Sequence, residues 1–272
     1  MIEIAAEPLI YDSATALGPE ARGKVVIAAS HGGDYVGYLA ALAGVKAIIL
    51  NDAGMGKASA GVAGLHLLEE CGIAAATISH LSARIGNGAD TARRGKISAM
   101  NALACSLGVV EGMAASEAVR HLLDSKSFPV LPQVERHEAR QVLSAVAGER
   151  AIVLVDSASL ILPEDTDAVV ISGSHGGLLG GIPALAIKYP VFAAFFNDAG
   201  RGLDNAGTMR LPALDQRNIA AATIDHETAK IGYGLSGYEE GVVSVINECA
   251  QRAGLHVGMR VRDAVSLLTV MP

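Results

Sequence analysis

The chain has 272 residues, a formal net charge of −7, 51% hydrophobic residues and 18% charged ones. With no Trp, 4% aromatics and no basic stripe, it lacks the cations and stacking rings that nucleic-acid binding uses, which excludes that class. The charged fraction lies below the usual quarter or so, so much surface is expected to be buried, in the core and in a homo-oligomer.

In chain order, a short strand ending at Asp12 comes first. Apolar, β-branched runs at 25–29, 47–50 and 74–78 read as buried strands, and 35–43, 62–71 and 97–107 as helices between and after them. The stretch between the first strand and the second reads as too short for a helical crossover, so that strand is expected to be antiparallel or at an edge. Residues 133–147 read as a helix with apolar Val134, Val142 and Val146, part of a bridge over 127–152. After it come a short strand ending at Asp156 and runs at 169–171, 191–196 and 221–224. No apolar run approaches the roughly 20 residues of a membrane helix. Met1-Ile2-Glu3-Ile4 has no signal-peptide pattern, and Cys71, Cys105 and Cys249 read as buried free thiols rather than a disulfide or metal frame. A cytoplasmic protein with no membrane partner follows as the expectation.

The two halves share a polar vocabulary. Ser30-His31-Gly32-Gly33 returns as Ser174-His175-Gly176-Gly177, and Asn51-Asp52-Ala53-Gly54 as Asn197-Asp198-Ala199-Gly200. The run from Ile73 to His80 returns from Ile219 to His226, with Ser79 replaced by Asp225. Asp12-Ser13-Ala14 matches Asp156-Ser157-Ala158, and Ser98 and Asn101 match Ser244 and Asn247. The offset is 144 residues up to the first motif and 146 from the second, which places a two-residue insertion near Lys188-Tyr189-Pro190. A period this long is a duplicated domain, not a solenoid. The expected fold is α/β, with two tandem homologous repeats related by a pseudo-twofold. Each has a mostly parallel sheet flanked by helices, over 1–126 and 153–272.

The shared polar residues fall just past the C-terminal ends of predicted parallel strands, where α/β sheets bind ligands. Serine, aspartate and histidine are the elements of a nucleophile–orienter–base triad. The candidate catalytic residues are therefore Ser30, His31, Asp52 and His80, with Ser174, His175, Asp198 and His226. The amides of Gly32 and Gly33, or Gly176 and Gly177, at a helix start suit a developing oxyanion. Asn51, Gly54, Asn197 and Gly200 complete the candidate binding loops. Arg84 and Lys230, four residues after the histidines, are candidates to hold a substrate anion. Ser98 with Asn101, and Ser244 with Asn247, read as one helix face bridging structure.

Other chemistries fare less well. The elbow G-x-S-x-G is not met, since Ala28 and Ser172 stand two before the serines. The Walker loop and GxGxxG are absent, so no cofactor is assigned. His31, Asp52 and His80 would supply a two-His-one-carboxylate set, but the spacing is not diagnostic and no metal is assigned. The chain is similar to the hydrolases that open cyclic amides only in its repeated α/β units. Those have three repeats and Ser–Lys pairs, whereas Lys57 and Lys96 face Leu203 and Val242 in the second half, so no residue role is transferred. The expected function is hydrolysis of an amide, open-chain or cyclic, or an ester of a small anionic molecule. The alternatives are an isomerase, racemase or lyase, a metal-dependent enzyme, and a non-catalytic metabolite binder.

Overall fold

The computed structural model describes residues 7–126, 129–143 and 148–271. It divides into two compact units: Met1–Asp52 with Val62–Arg136, and Ala53–Gly61 with His137–Pro272. The loop at 53–61, which follows Asp52 in sequence, thus belongs to the second unit.

The first unit holds strands β1 (Leu9–Tyr11), β2 (Val25–His31), β3 (Ala47–Asn51), β4 (Ala74–Ile78) and β5 (Ile97–Met100). They lie in the order β1-β2-β3-β4-β5. The first four are parallel and β5 runs antiparallel to β4. Helices α1 (Asp34–Ala43), α2 (Gly64–Glu70), α3 (Gly88–Arg94), α4 (Ala102–Ser106) and α5 (Ala115–Leu123) cover it. Alternation along the strands feeds two cores. Val26, Ile48, Leu50 and Ala75 pack with Ala40, Leu67 and Leu68 of α1 and α2. Val25, Ile27, Ile49 and Ala76 pack with Ala104 of α4 and Ala118 and Leu122 of α5.

The second unit holds β6 (Arg140–Leu143), β7 (Ile152–Val155), β8 (Val169–His175), β9 (Ala193–Asn197), β10 (Ala220–Ile224) and β11 (Val243–Ile246), again in sequential order. β7 to β10 are parallel, and the outer strands β6 and β11 are antiparallel. Helices α6 (Arg210–Asp215), α7 (Gly234–Glu240), α8 (Glu248–Arg252) and α9 (Val261–Thr269) flank them.

Four local expectations change. Residues 97–107 are not one helix. Ile97–Met100 pairs with β4, and Asn101 then caps α4 by accepting the Ala104 amide at 3.0 Å. The strand before the first motif is parallel in both units, and only β1 is an edge; two 3₁₀ turns, not an α-helix, make each crossover. The first crossover of the second unit has no α-helix either. It contains Gly180, Gly181 and Pro183, which lower helix propensity, and forms 3₁₀ turns at Leu179–Gly181 and Pro183–Leu185. Finally, the bridge is not helical over Arg140–Leu143, which adds a strand to β7. Val134 and Val142 are exposed rather than packed, and Val146 lies outside the described residues.

The added strand is held by charge. Asp156 accepts the Ala139 amide at 2.8 Å, and Arg140 pairs with buried Asp165 at 2.5 Å. Beside them burial, reinforced by Asp156, pushes the Glu138 carboxyl up to about 7. A carboxyl raised in the folded state is stabilising below its unfolded value. That contribution is lost as pH rises from about 4.5 to about 7. Glu138→Gln is expected to raise stability by about 1–2 kcal/mol at pH 8 and change little at pH 4.5, discounting for partial exposure. Urea unfolding at the two pH values checks this.

Candidate functional site

In the first unit β2, β3 and β4 are adjacent. His31 pairs with Asn51 and Asn51 with Ile78, so one sheet edge gathers the C-terminal residues of all three strands. Strand order never reverses, so no topological crevice forms there; the chemistry rests on the side chains themselves.

Asp52 and His80 come together. The buried Asp52 Oδ1 accepts the His80 backbone N–H at 2.9 Å and lies 2.8 Å from its Nδ1. A carboxylate on Nδ1 fixes the tautomer and leaves Nε2 as the base. The His80 side chain retains 20% exposure.

The triad serine is not part of that pair. Ser30 Oγ accepts the Ala14 amide at 2.9 Å, and Ser174 Oγ accepts the Ala158 amide at 2.9 Å. This accounts for the repeated Asp-Ser-Ala turns, whose Asp12 and Asp156 accept the amides of Gly88 and Gly234. The expected oxyanion donors are also occupied. Gly32 and Gly176 donate to Asn51 and Asn197 carbonyls, each at 2.8 Å. Gly33 and Gly177 donate to Nδ1 of His31 and His175, each at 3.1 Å. These histidines therefore shape turns, with the neutral ring proton on Nε2. Burial holds His31 down at about 4.

The remaining candidates hold loops. Asn51 and Asn197 reach the Ala83 and Ala229 carbonyls at 3.5 and 3.1 Å. Arg84 lies 3.6 Å from buried Asp90, which also takes Arg94 at 2.7 Å. Burial pushes the Asp90 carboxyl up, but Arg94 and the Arg84 amide outweigh it and hold it below the usual range. Lys230 is exposed and its amide bonds Ser236. Asn101 and Asn247 each take two amides and donate to two carbonyls, which makes them structural.

The second unit repeats the Asp–His pair with additions. Asp198 Oδ1 accepts the His226 amide at 3.1 Å and the Gly200 amide at 3.0 Å, and lies 3.1 Å from His226 Nδ1. Asp225 Oδ1 lies 3.3 Å from the same nitrogen, and Glu227 lies 3.4 Å from Nε2. The Asp198 carboxylate holds His226 above the usual imidazole range against burial, with Asp225 and Glu227 adding to it. Burial pushes Asp198 up, but His226 and Ser244 outweigh it and hold it low. Gly54 packs close against the ring: a Cβ there would come within 2.8 Å of His226 Cδ2. Lys57 donates its amide to the His226 carbonyl at 2.8 Å and pairs with Glu240 at 3.0 Å.

Asp225, Glu227 and Lys57 escape motif reading. Their signal was the differences between halves, Asp225 against Ser79 and Lys57 against Leu203. Among the described residues, His31, Asp52 and His80 do not group as metal ligands; Asp198, Asp225 and His226 do.

Both loops that follow the aspartates are strained. Ala53, Met55, Ala58 and Ser59, and Ala199, Arg201, Asp204 and Asn205, all have positive φ. Such residues cost of order 1–2 kcal/mol each unless held by their surroundings. Gly207 is one such support, because a Cβ there would sit 1.9 Å from the Asp198 carbonyl oxygen. Gly207→Ala is expected to cost more than about 3 kcal/mol in urea unfolding.

Family models, curated proteins and solved structures give no match to this chain. Among the described residues no helix is long and apolar enough to cross a membrane. One hollow of the second unit, lined by Asp167, Phe192, Asn218, Cys249 and Arg252, lies at the start of β9 and β10, away from Asp198 and His226.

Proposed function

We propose that the chain hydrolyses an amide or ester bond of a small polar, anionic molecule, with His80 activating water under the orientation of Asp52. The observation that carries this reading is the Asp52 carboxylate, buried at the strand ends and 2.8 Å from His80 Nδ1. A general base so held supplies about 10²–10⁴-fold in rate. With Ser30 and Ser174 holding turns, water replaces serine as nucleophile. The tandem repeat of motifs and the shared strand order favour descent of both units from one duplicated domain. The low charge fraction favours association into a homo-oligomer.

A second reading, an isomerase or lyase, draws on the second Asp–His pair, since two acid–base groups suit proton transfer at carbon. Incubating candidate acids and amides in deuterated water separates the two. Release of alcohol, amine or acid supports hydrolysis, and C–H exchange without cleavage supports the alternative.

A further inference from the structure

We propose that Asp198, Asp225 and His226 form a binding site for a divalent transition-metal cation in the second unit. This goes beyond the hydrolytic reading, which rests on Asp52 and His80 in the first unit. The site has one nitrogen and two carboxylate oxygens, and their donor atoms lie within 4.8 Å of one another. The two Asp oxygens stand 3.1 and 3.3 Å from His226 Nδ1. Adjacent ligands sharing an ion at about 2.0–2.1 Å are separated by about 2.8–3.4 Å in octahedral or tetrahedral geometry.

A second observation separates this arrangement from an ordinary Asp–His hydrogen bond. His226 Nδ1 is buried and, among the described residues, has no hydrogen-bond partner, although two carboxylates face it. In the first unit Nδ1 of His80 does make such a bond to Asp52, at 2.8 Å. Position 79 there is serine, and among the described residues one carboxylate, that of Asp52, pairs with the ring. A cation among the three atoms of the second unit would use the nitrogen lone pair and neutralise both carboxylates. Its mixed imidazole–carboxylate set favours Zn²⁺, Co²⁺ or Mn²⁺ over Ca²⁺ or Mg²⁺. The backbone already fixes two ligands. Asp198 accepts the His226 and Gly200 amides, and the Lys57 amide holds the His226 carbonyl.

The test uses the full chain after chelator treatment and dialysis, titrated with Co²⁺ and followed by its visible absorption bands. Zn²⁺ competition and thermal shift provide readouts independent of turnover. The expected result is one Co²⁺ per chain, displaced by Zn²⁺, with a raised Tm. Asp225→Ser, which installs the first unit's residue at a half-exposed position, is expected to weaken binding at least about 30-fold. Glu227→Gln, on the other ring nitrogen, is expected to change it less than about threefold. No saturable binding up to millimolar metal would overturn the proposal. So would equal weakening by Glu227→Gln and Asp225→Ser, the mark of a diffuse acidic surface. Undiminished one-to-one binding in a folded Asp225→Ser protein would overturn it as well.

Discussion

Asp52→Asn is expected to lower turnover by about 10³–10⁴-fold while leaving the fold intact. The asparagine oxygen can still accept the His80 backbone N–H, which the carboxylate accepts at 2.9 Å. That same oxygen faces Nδ1, so the ring keeps its tautomer, but a neutral amide in place of the carboxylate weakens Nε2 as a base. The imidazolium formed when water is deprotonated would also lose its counter-charge. His80→Gln is expected to cost about as much, and the double variant no more than either single one, because the pair acts as a unit. The measurement is kcat on the best ester or amide found by screening, with Tm as the control for folding. Turnover of Asp52→Asn above a tenth of the parent would remove His80 as the activated base. Loss in kcat/KM through KM alone would assign Asp52 to binding.

The second large effect needs no substrate. His31 is held down at about 4 by burial, against an unfolded value of about 6.5. Its folded state therefore resists protonation. Between about pH 6.5 and 4 the unfolded chain binds the proton and the folded chain does not, so stability contributed by the neutral ring is lost as pH falls through that window. The full loss is about 3 kcal/mol at pH 4, reached nearly flat below it. Glu138 changes in the opposite direction over much of the same range, so the parent's own curve is a sum of the two. The difference between parent and His31→Asn isolates one term, since the asparagine Oδ1 stands where Nδ1 does and can still accept the Gly33 amide. That difference is expected to shrink by about 3 kcal/mol from pH 7 to pH 4. A difference constant with pH would show that the ring is protonated as easily folded as unfolded.

Much of the molecule was legible from residues alone. Continuous apolar runs such as Val25-Val26-Ile27-Ala28-Ala29 announced buried parallel strands, because a strand covered on both faces has no polar side to show. The pairing of Asp52 with His80 followed from two strand ends that become neighbours in the sheet. What escaped has physical reasons. Ile97–Met100 has an apolar pattern that suits a helix as well as a strand, and the cap at Asn101 decides it. The bridge strand Arg140–Leu143 is a polar edge strand fixed by Asp156 and Asp165, charges distant in sequence. Ser30 looked like a nucleophile because a hydroxyl that accepts a buried amide and one that attacks a carbonyl are spelled alike. Only the Ala14 amide at 2.9 Å tells them apart.

The excursion of residues 53–61 changes what a half of this protein is. Cutting the gene between 136 and 137 would give two polypeptides of similar length, yet neither would match a folded unit. The C-terminal piece would lack the glycine that lies on the His226 ring and the lysine that ties Thr228 and Glu240. The N-terminal piece would carry that loop with no surface to receive it. Genetic modules and structural modules are out of register here by nine residues. A piece starting at 137 is therefore expected to regain the packing around His226 only when residues 53–61 are supplied to it.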